Sequence, residues 1–86
     1  MGNGAVADSG EKSGEILDLR GLKCPLPAMK THGAVVRLPP GGALVVLATD
    51  PMSAIDVPHA VAKAGGRVTS GTREGAVLTF AIVKNG

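Results

Sequence analysis

The chain has 86 residues, a length that suits one domain, and its core must be aliphatic because it has no tryptophan or tyrosine and only one phenylalanine. A net charge of +2 from scattered basic residues argues against a nucleic-acid binder, which usually has a concentrated basic face and stacking aromatic residues. The single cysteine excludes an internal disulfide and an all-cysteine zinc site, and with no signal-like or membrane-length apolar run we expect a cytoplasmic, reduced protein.

The first half of the chain predicts a tail, a strand and a helix. Residues 1–14 are polar and rich in Gly and Ser, which predicts a disordered tail before a domain of residues 15–86. Glu15 to Leu19 is predicted to be a short strand. A helix is predicted to open at the Cys24-Pro25-Leu26-Pro27 segment and to end near Leu38. Its predicted buried face consists of Leu26, Met29, Gly33 and Val36.

The next predicted elements are an interior strand and a second helix. Ala43 to Thr49 is nearly continuously apolar, as expected of an interior strand. Ser53 is predicted to be the N-cap of a helix that ends at Gly65-Gly66. Two possibilities remain open for this helix: it begins near Asp56 with Pro58 in its first turn, or it is kinked at Pro58. The apolar residues of this helix are Ile55, Val57 and Val61.

The end of the chain predicts a β-hairpin. Its strands are Arg67 to Ser70 and Ala76 to Val83, and a turn around Arg73-Glu74-Gly75 joins them. The predicted order is therefore βαβαββ. Alternating elements favour parallel pairing, and the hairpin adds an antiparallel strand. We predict a two-layer α/β sandwich with two helices on one face of a four-stranded mixed sheet.

The position of Cys24 predicts a reactive thiol. It lies at the start of a helix, where the partial positive charge and free amides, here those of Leu26 and Ala28, stabilise a thiolate and lower the pKa. Lys23 and Arg20 add positive charge nearby. The alternative is that Cys24 is an inert, buried, small apolar residue.

Neither histidine is placed as the base of a cysteine hydrolase. His32 lies about two helical turns beyond Cys24, ~10 Å by helical rise, and His59 belongs to another element. A thiol that accepts and passes on a persulfide needs no such base. Carrier chemistry therefore fits the sequence better than hydrolysis.

Four segments together resemble the TusA/SirA family of sulfur carriers. They are Leu17-Asp18-Leu19-Arg20-Gly21-Leu22-Lys23-Cys24-Pro25-Leu26-Pro27, Pro40-Gly41, Thr49-Asp50-Pro51 and Asp56-Val57-Pro58. The resemblance covers about residues 15 to 84. It implies the same βαβαββ sandwich, which is similar to the C-terminal domain of bacterial translation initiation factor three. The chain departs from the family at His32, Ala60 and Val61, where other members often have a basic residue, an aromatic residue or a further cysteine.

The resemblance implies a persulfide on Cys24 and no other cofactor or metal. Sulfur would come from a cysteine desulfurase or a rhodanese and pass to a DsrE-like protein, for tRNA thiolation, molybdenum-cofactor supply or sulfur oxidation. Such a protein would act as a monomer, with no membrane and no direct nucleic-acid binding. The implied partner-binding residues are Lys23, Pro25, Pro27, Met29, Lys30 and Asp50.

Simpler interpretations of several residues stay open at this point. Asp50 before Pro51 is also typical of a turn, and Asp56 of a helix cap. Met29 shares the predicted buried face of its helix and is equally suited to core packing. The rival function is a non-catalytic interaction or regulatory module that uses the Cys24 loop as a docking surface, while RNA binding rests on analogy of fold alone.

Overall fold

The computed structural model describes residues 15–86, and these residues form strands and helices in the predicted order βαβαββ. The elements are β1 (Glu15–Leu19), α1 (Leu26–Arg37), β2 (Ala43–Ala48), α2 (Ser53–Lys63), β3 (Gly66–Glu74) and β4 (Val77–Lys84). The tail predicted for residues 1–14 lies outside the described residues. Neither α1 nor α2 has the length and apolar character that a membrane-spanning helix needs.

The sheet is mixed, with the strand order β1-β2-β4-β3. β1 and β2 pair in parallel, and β4 pairs antiparallel with both β2 and β3. β2 is an interior strand, as its apolar run predicts. Since β4 lies between β2 and β3, these two strands run in the same direction without pairing. The predicted two-layer sandwich is confirmed.

One aliphatic core lies between the sheet and the helices. Burial alternates along β2 and β4, so that each strand presents one side to the core. The buried cluster consists of Leu19, Val35, Leu38, Leu44, Val46, Val57, Val61, Leu78, Phe80 and Ile82. Each such side chain contributes about 1.5–3 kcal/mol when it is fully buried, so this cluster is the main favourable contribution that offsets the conformational entropy lost on folding.

The buried stripe of α1 differs from the predicted one. The predicted residues Leu26, Met29 and Val36 are 42%, 62% and 52% exposed. The buried residues of α1 are Pro27, Thr31 and Val35. The prediction was wrong because α1 carries apolar residues on two adjacent stripes, and packing against α2 and the sheet buries the other one. The core-packing interpretation of Met29 is therefore wrong.

The start of α2 also differs from the prediction. Met52, not Ser53, occupies the N-cap position, and no side chain caps the helix. The amides of Ser53 and Ala54 donate to the carbonyl oxygens of Asp50 and Pro51, at 2.9 and 3.2 Å. Backbone bonds thus satisfy the first turn, so no side-chain cap is required. The Ser53 side chain is instead buried in the interior.

α2 continues through Pro58 as one helix. It begins at Ser53, so the possibility that it starts near Asp56 is wrong. It ends as predicted, with Gly65 at a φ of +92°, a backbone conformation that glycine adopts without strain. β3 begins one residue earlier and ends four residues later than predicted, and β4 is shifted by one residue.

The C-terminal end of α1 is held by a lysine from the sheet. The Nζ atom of Lys84, in β4, donates to the carbonyl oxygens of Val35, Val36 and Leu38 at 3.1, 3.3 and 3.1 Å. These carbonyls have few partners within a helix, and a cation there also favours the helix dipole. Lys84 therefore fixes α1, which carries the candidate site at its other end, to the central part of the sheet.

Candidate functional site

The candidate site lies where the loops after β1 and β2 meet. Because β1 and β2 are parallel neighbours, residues 20–25 and residues 49–52 leave the sheet at the same edge. The Gly21 amide donates to Thr49 Oγ1 at 2.9 Å, which ties the two loops together. The helices that follow both begin at this edge. Cys24, at the start of α1, is thereby placed beside the start of α2.

Asp50 fixes the Cys24 loop to the start of α2. Its Oδ2 atom accepts a short hydrogen bond from the Cys24 amide, and its Oδ1 atom accepts one from the Met52 amide at 3.0 Å. These two bonds lower the pKa of Asp50, because both favour the ionised carboxylate. The turn and site interpretations of Asp50 therefore coincide: the turn that Asp50 makes also positions Cys24.

The Cys24 side chain faces a carboxylate from α2. Cys24 is exposed, so the interpretation as an inert buried residue is wrong. Its Sγ atom donates a hydrogen bond to Asp56 Oδ2 at 3.2 Å. Asp56 is half-buried in the first turn of α2. Instead of capping α2, as its position suggested, this carboxylate accepts a hydrogen bond from the thiol.

The surroundings raise the pKa of the Cys24 thiol instead of lowering it. The main cause is the hydrogen bond to Asp56, and desolvation of the sulfur by its neighbours and the negative charges of Asp56 and Asp50 act in the same direction. The Leu26 amide, predicted to favour the thiolate, donates instead to the Lys23 carbonyl oxygen at 2.9 Å. The prediction of a low pKa was wrong, because sequence position indicated the helix start but not the two carboxylates.

The basic residues before Cys24 are placed differently from one another. Arg20 pairs with Asp18, with Nε–Oδ1 and Nη2–Oδ2 distances of 2.8 and 2.7 Å, so its charge is directed to that carboxylate. This pairing lowers the pKa of Asp18 to about 2. Lys23 is exposed, and its charge contributes to the lowered pKa of Asp50. Lys23, and not Arg20, supplies positive charge at the site.

Exposed apolar side chains lie at the starts of both helices, and we call them the apolar rim. They are Leu26, Met29, Met52 and Ile55, exposed by 42%, 62%, 48% and 68%. Beside Met29, an open groove of about 360 Å³ is lined by Ala28, Met29, His32 and Lys63. The rim and the groove therefore offer apolar contact with basic side chains at the edge, a combination typical of a protein-binding surface.

The remaining predicted site residues are divided between surface and interior. Pro25 and Lys30 are exposed, and the Cys24–Pro25 peptide bond is cis. Pro27 is buried, so its ring is not available on the surface and can act only by shaping the first turn of α1. Within residues 15–86, no three His, Cys, Asp or Glu side chains are grouped so as to bind a metal ion.

Three site residues were not predicted as such from the sequence. Asp56 was assigned to capping, and Met52 and Ile55 were not singled out as surface residues. The spacing from Asp50 to Asp56 carried a signal, because a helix that starts between them brings both carboxylates to one end. That signal does not reveal which of them faces the thiol. It is the packing of α2 against α1 that decides this.

Comparison with known proteins gives the same family as the sequence resemblance, along nearly the whole domain. The family model described as "Sulfurtransferase TusA" matches residues 15–84. The protein named "Sulfur carrier protein TusA" from Pseudomonas paraeruginosa is 54% identical over 43 residues, which cover 50% of this chain and 54% of that protein. The protein of the same name from Pseudomonas fluorescens is 52% identical over 42 residues, covering 49% and 51%. The match thus spans about half the length of these curated relatives.

Proposed function

This chain belongs to the TusA family of sulfurtransferases, and we propose that it carries sulfane sulfur as a persulfide on Cys24. The observation that supports this most is the placement of the single cysteine. It is exposed at the edge of the sheet, is held by Asp50 through its amide and lies at the start of α1, where the apolar rim begins. Its sulfur can therefore reach a second protein without any rearrangement of the core.

Loading consists of one sulfur transfer. The Cys24 thiolate attacks the terminal sulfur of a persulfide on a donor protein. A new S–S bond forms at Sγ while the S–S bond of the donor breaks, and the donor cysteine leaves as a thiolate with the bonding electron pair. Unloading is the same step with an acceptor thiolate attacking the outer sulfur on Cys24. Neither step needs an oxidant, a reductant or a metal.

The partners in this proposal are a cysteine desulfurase or a rhodanese as donor and a DsrE-like protein as acceptor, in the cytoplasm. The apolar rim supplies the contact area, while Lys23, Lys30 and the groove residue Lys63 supply positive charge around it. Such a surface suits transient binding to an acidic rim on the partner. Transfer between proteins should therefore slow as salt is added.

The test is intact-mass spectrometry of the reduced protein after incubation with a persulfide donor, with Cys24→Ser as the matched variant. We expect the wild type to gain the mass of one sulfur atom, the gain to be reversed by reductant and the variant to gain nothing. A wild-type protein that stays at its original mass, while alkylation shows that its thiol is accessible, contradicts the proposal.

The exposure of Met29 and Ile55 also fits a second function, a docking module that needs no chemistry at Cys24. In that case Cys24→Ser would bind partners and act as well as the wild type. The loading experiment separates the two functions, because only a carrier acquires sulfur.

A further inference from the structure

We propose that Asp56 is a positioning residue that holds the discharged Cys24 as a protonated thiol turned toward α2, and that sulfur loading breaks this contact. The inference deepens the proposed function and rests on it. It concerns how the empty carrier differs from the loaded carrier, because a donor must bind the empty form and an acceptor the loaded form.

The two carboxylates beside Cys24 have separate tasks. Asp50 uses both oxygens on the amides of Cys24 and Met52. Asp56 bonds only to Cys24 Sγ among the side-chain hydrogen bonds of residues 15–86. A carboxylate without a proton accepts hydrogen bonds and does not donate them, so the proton in this contact belongs to the thiol. The contact therefore exists only while Cys24 is protonated.

Loading removes what holds the contact together. The thiol proton must leave to solvent before Sγ can attack the donor persulfide, since the thiolate is the nucleophile. A persulfide is a stronger acid than the thiol from which it forms, so the outer sulfur is anionic at neutral pH. This anion repels Asp56 and has no proton to donate. The loaded side chain is thus directed away from Asp56, toward solvent and an approaching acceptor.

Other charged groups around Cys24 do not replace Asp56. Asp50 faces Cys24 from the loop before α2 and acts on the thiol through its charge alone, because its side chain does not bond to Sγ. Lys23 adjoins Cys24 in the chain, and its charge acts on Asp50. The hydrogen bond to Asp56 is the largest cause of the raised pKa of Cys24. The other titratable groups on the two helices are Lys30, His32, Arg37, His59 and Lys63, and among the described residues none of them bonds to Cys24, Asp50 or Asp56.

The experiment measures the rate at which iodoacetamide alkylates Cys24 between acidic and basic pH. The proteins are the wild type, Asp56→Asn and the control Asp18→Asn, which removes an exposed carboxylate that bonds to Arg20 and not to the thiol. We expect Asp56→Asn to be alkylated about three- to tenfold faster at neutral pH, because the variant lacks the carboxylate that raises the pKa of the Cys24 thiol. The rate at high pH, where all thiols are ionised, should be unchanged in all three proteins.

An Asp56→Asn profile that superimposes on those of the wild type and Asp18→Asn overturns the proposal. A slower rate at neutral pH overturns it as well, since Asp56 would then assist ionisation instead of opposing it. Circular dichroism checks the fold, and Asp56→Ser is used if Asp56→Asn does not fold. Sulfur loading of the wild type is measured in parallel. If the wild type loads but Asp56→Asn is alkylated at the wild-type rate, only this inference is refuted. If Asp56→Asn is alkylated faster but the wild type does not load, only the proposed function is refuted.

Discussion

Asp50 is the residue whose removal should most weaken the hydrogen bonds that hold the site together. Asp50→Ala deletes the acceptor of two backbone hydrogen bonds, one from the Cys24 loop and one from the start of α2. A hydrogen bond to a charged group is worth about 1.5–3 kcal/mol net. Asp50 is only half-buried, so solvent replaces part of this, and we expect a loss of about 2 kcal/mol for both bonds together.

This loss is large for a small domain. One kcal/mol shifts the melting temperature of a domain of this size by about 4–8 °C, so Asp50→Ala should melt roughly 10 °C lower than the wild type. Urea unfolding followed by far-UV circular dichroism measures the free energy directly, and the chain has no Trp or Tyr to serve as a fluorescence probe. Asp18→Ala is the matched control, because it removes an exposed ion pair worth about 0–1 kcal/mol.

The acid limb of the stability curve provides an independent check on the same variant. Because the pKa of Asp50 is lower in the folded protein, its stabilisation is complete above its unfolded pKa and is lost as the pH falls through the folded pKa. The wild type should therefore lose stability below about pH 4 more steeply than Asp50→Ala does. Equal losses for Asp50→Ala and Asp18→Ala at neutral pH, with an acid limb of Asp50→Ala that is parallel to that of the wild type, would show that Asp50 does not join the two loops.

Two further predictions concern the support of the site. Lys84→Met should lose about 1.5–3 kcal/mol of unfolding free energy, because Nζ bonds to three carbonyls at the end of α1. Lys63→Met is the control: it removes a cation from the last turn of α2 and should lose under about 1 kcal/mol. Urea unfolding measures both variants, and equal losses for Lys84→Met and Lys63→Met would contradict the capping of α1 by Lys84. Thr31→Val should gain about 1 kcal/mol, because the Thr31 hydroxyl is buried and has no hydrogen-bond partner among the described residues. A thermal scan showing Thr31→Val less stable than the wild type would contradict that assignment.

The sequence predicted the fold through features that act locally. The polar–apolar patterns, the prolines and glycines at element ends and the order of the elements were sufficient for the βαβαββ sandwich. The position of β4 between β2 and β3 was not predicted, because it depends on pairing between strands that are distant in the chain. The buried stripe of α1 was wrong for a related reason: the helix has two apolar stripes, and only its packing partners decide between them.

The sequence predicted Cys24 and Asp50 as site residues, but it did not predict that Asp56 contacts the thiol. A cysteine at a helix start is visible in the sequence, and so is Asp50 after a strand. The approach of Asp56 to the thiol depends on how α2 packs beside α1, over a separation of 32 residues in the chain. The predicted direction of the Cys24 pKa was wrong because this contact was missing. Charges brought together by the fold outweighed the local effect of the helix start.

A sulfur carrier must both accept sulfur on Cys24 and pass it to an acceptor. The most direct measurement loads the protein with isotopically heavy sulfur, separates it from the donor, mixes it with a reduced DsrE-like protein and weighs both proteins by intact-mass spectrometry. We expect the heavy sulfur to leave Cys24 and to appear on the acceptor in equal amount. Heavy sulfur that stays on Cys24, or that is released only as free sulfide, would show that this protein is not a carrier.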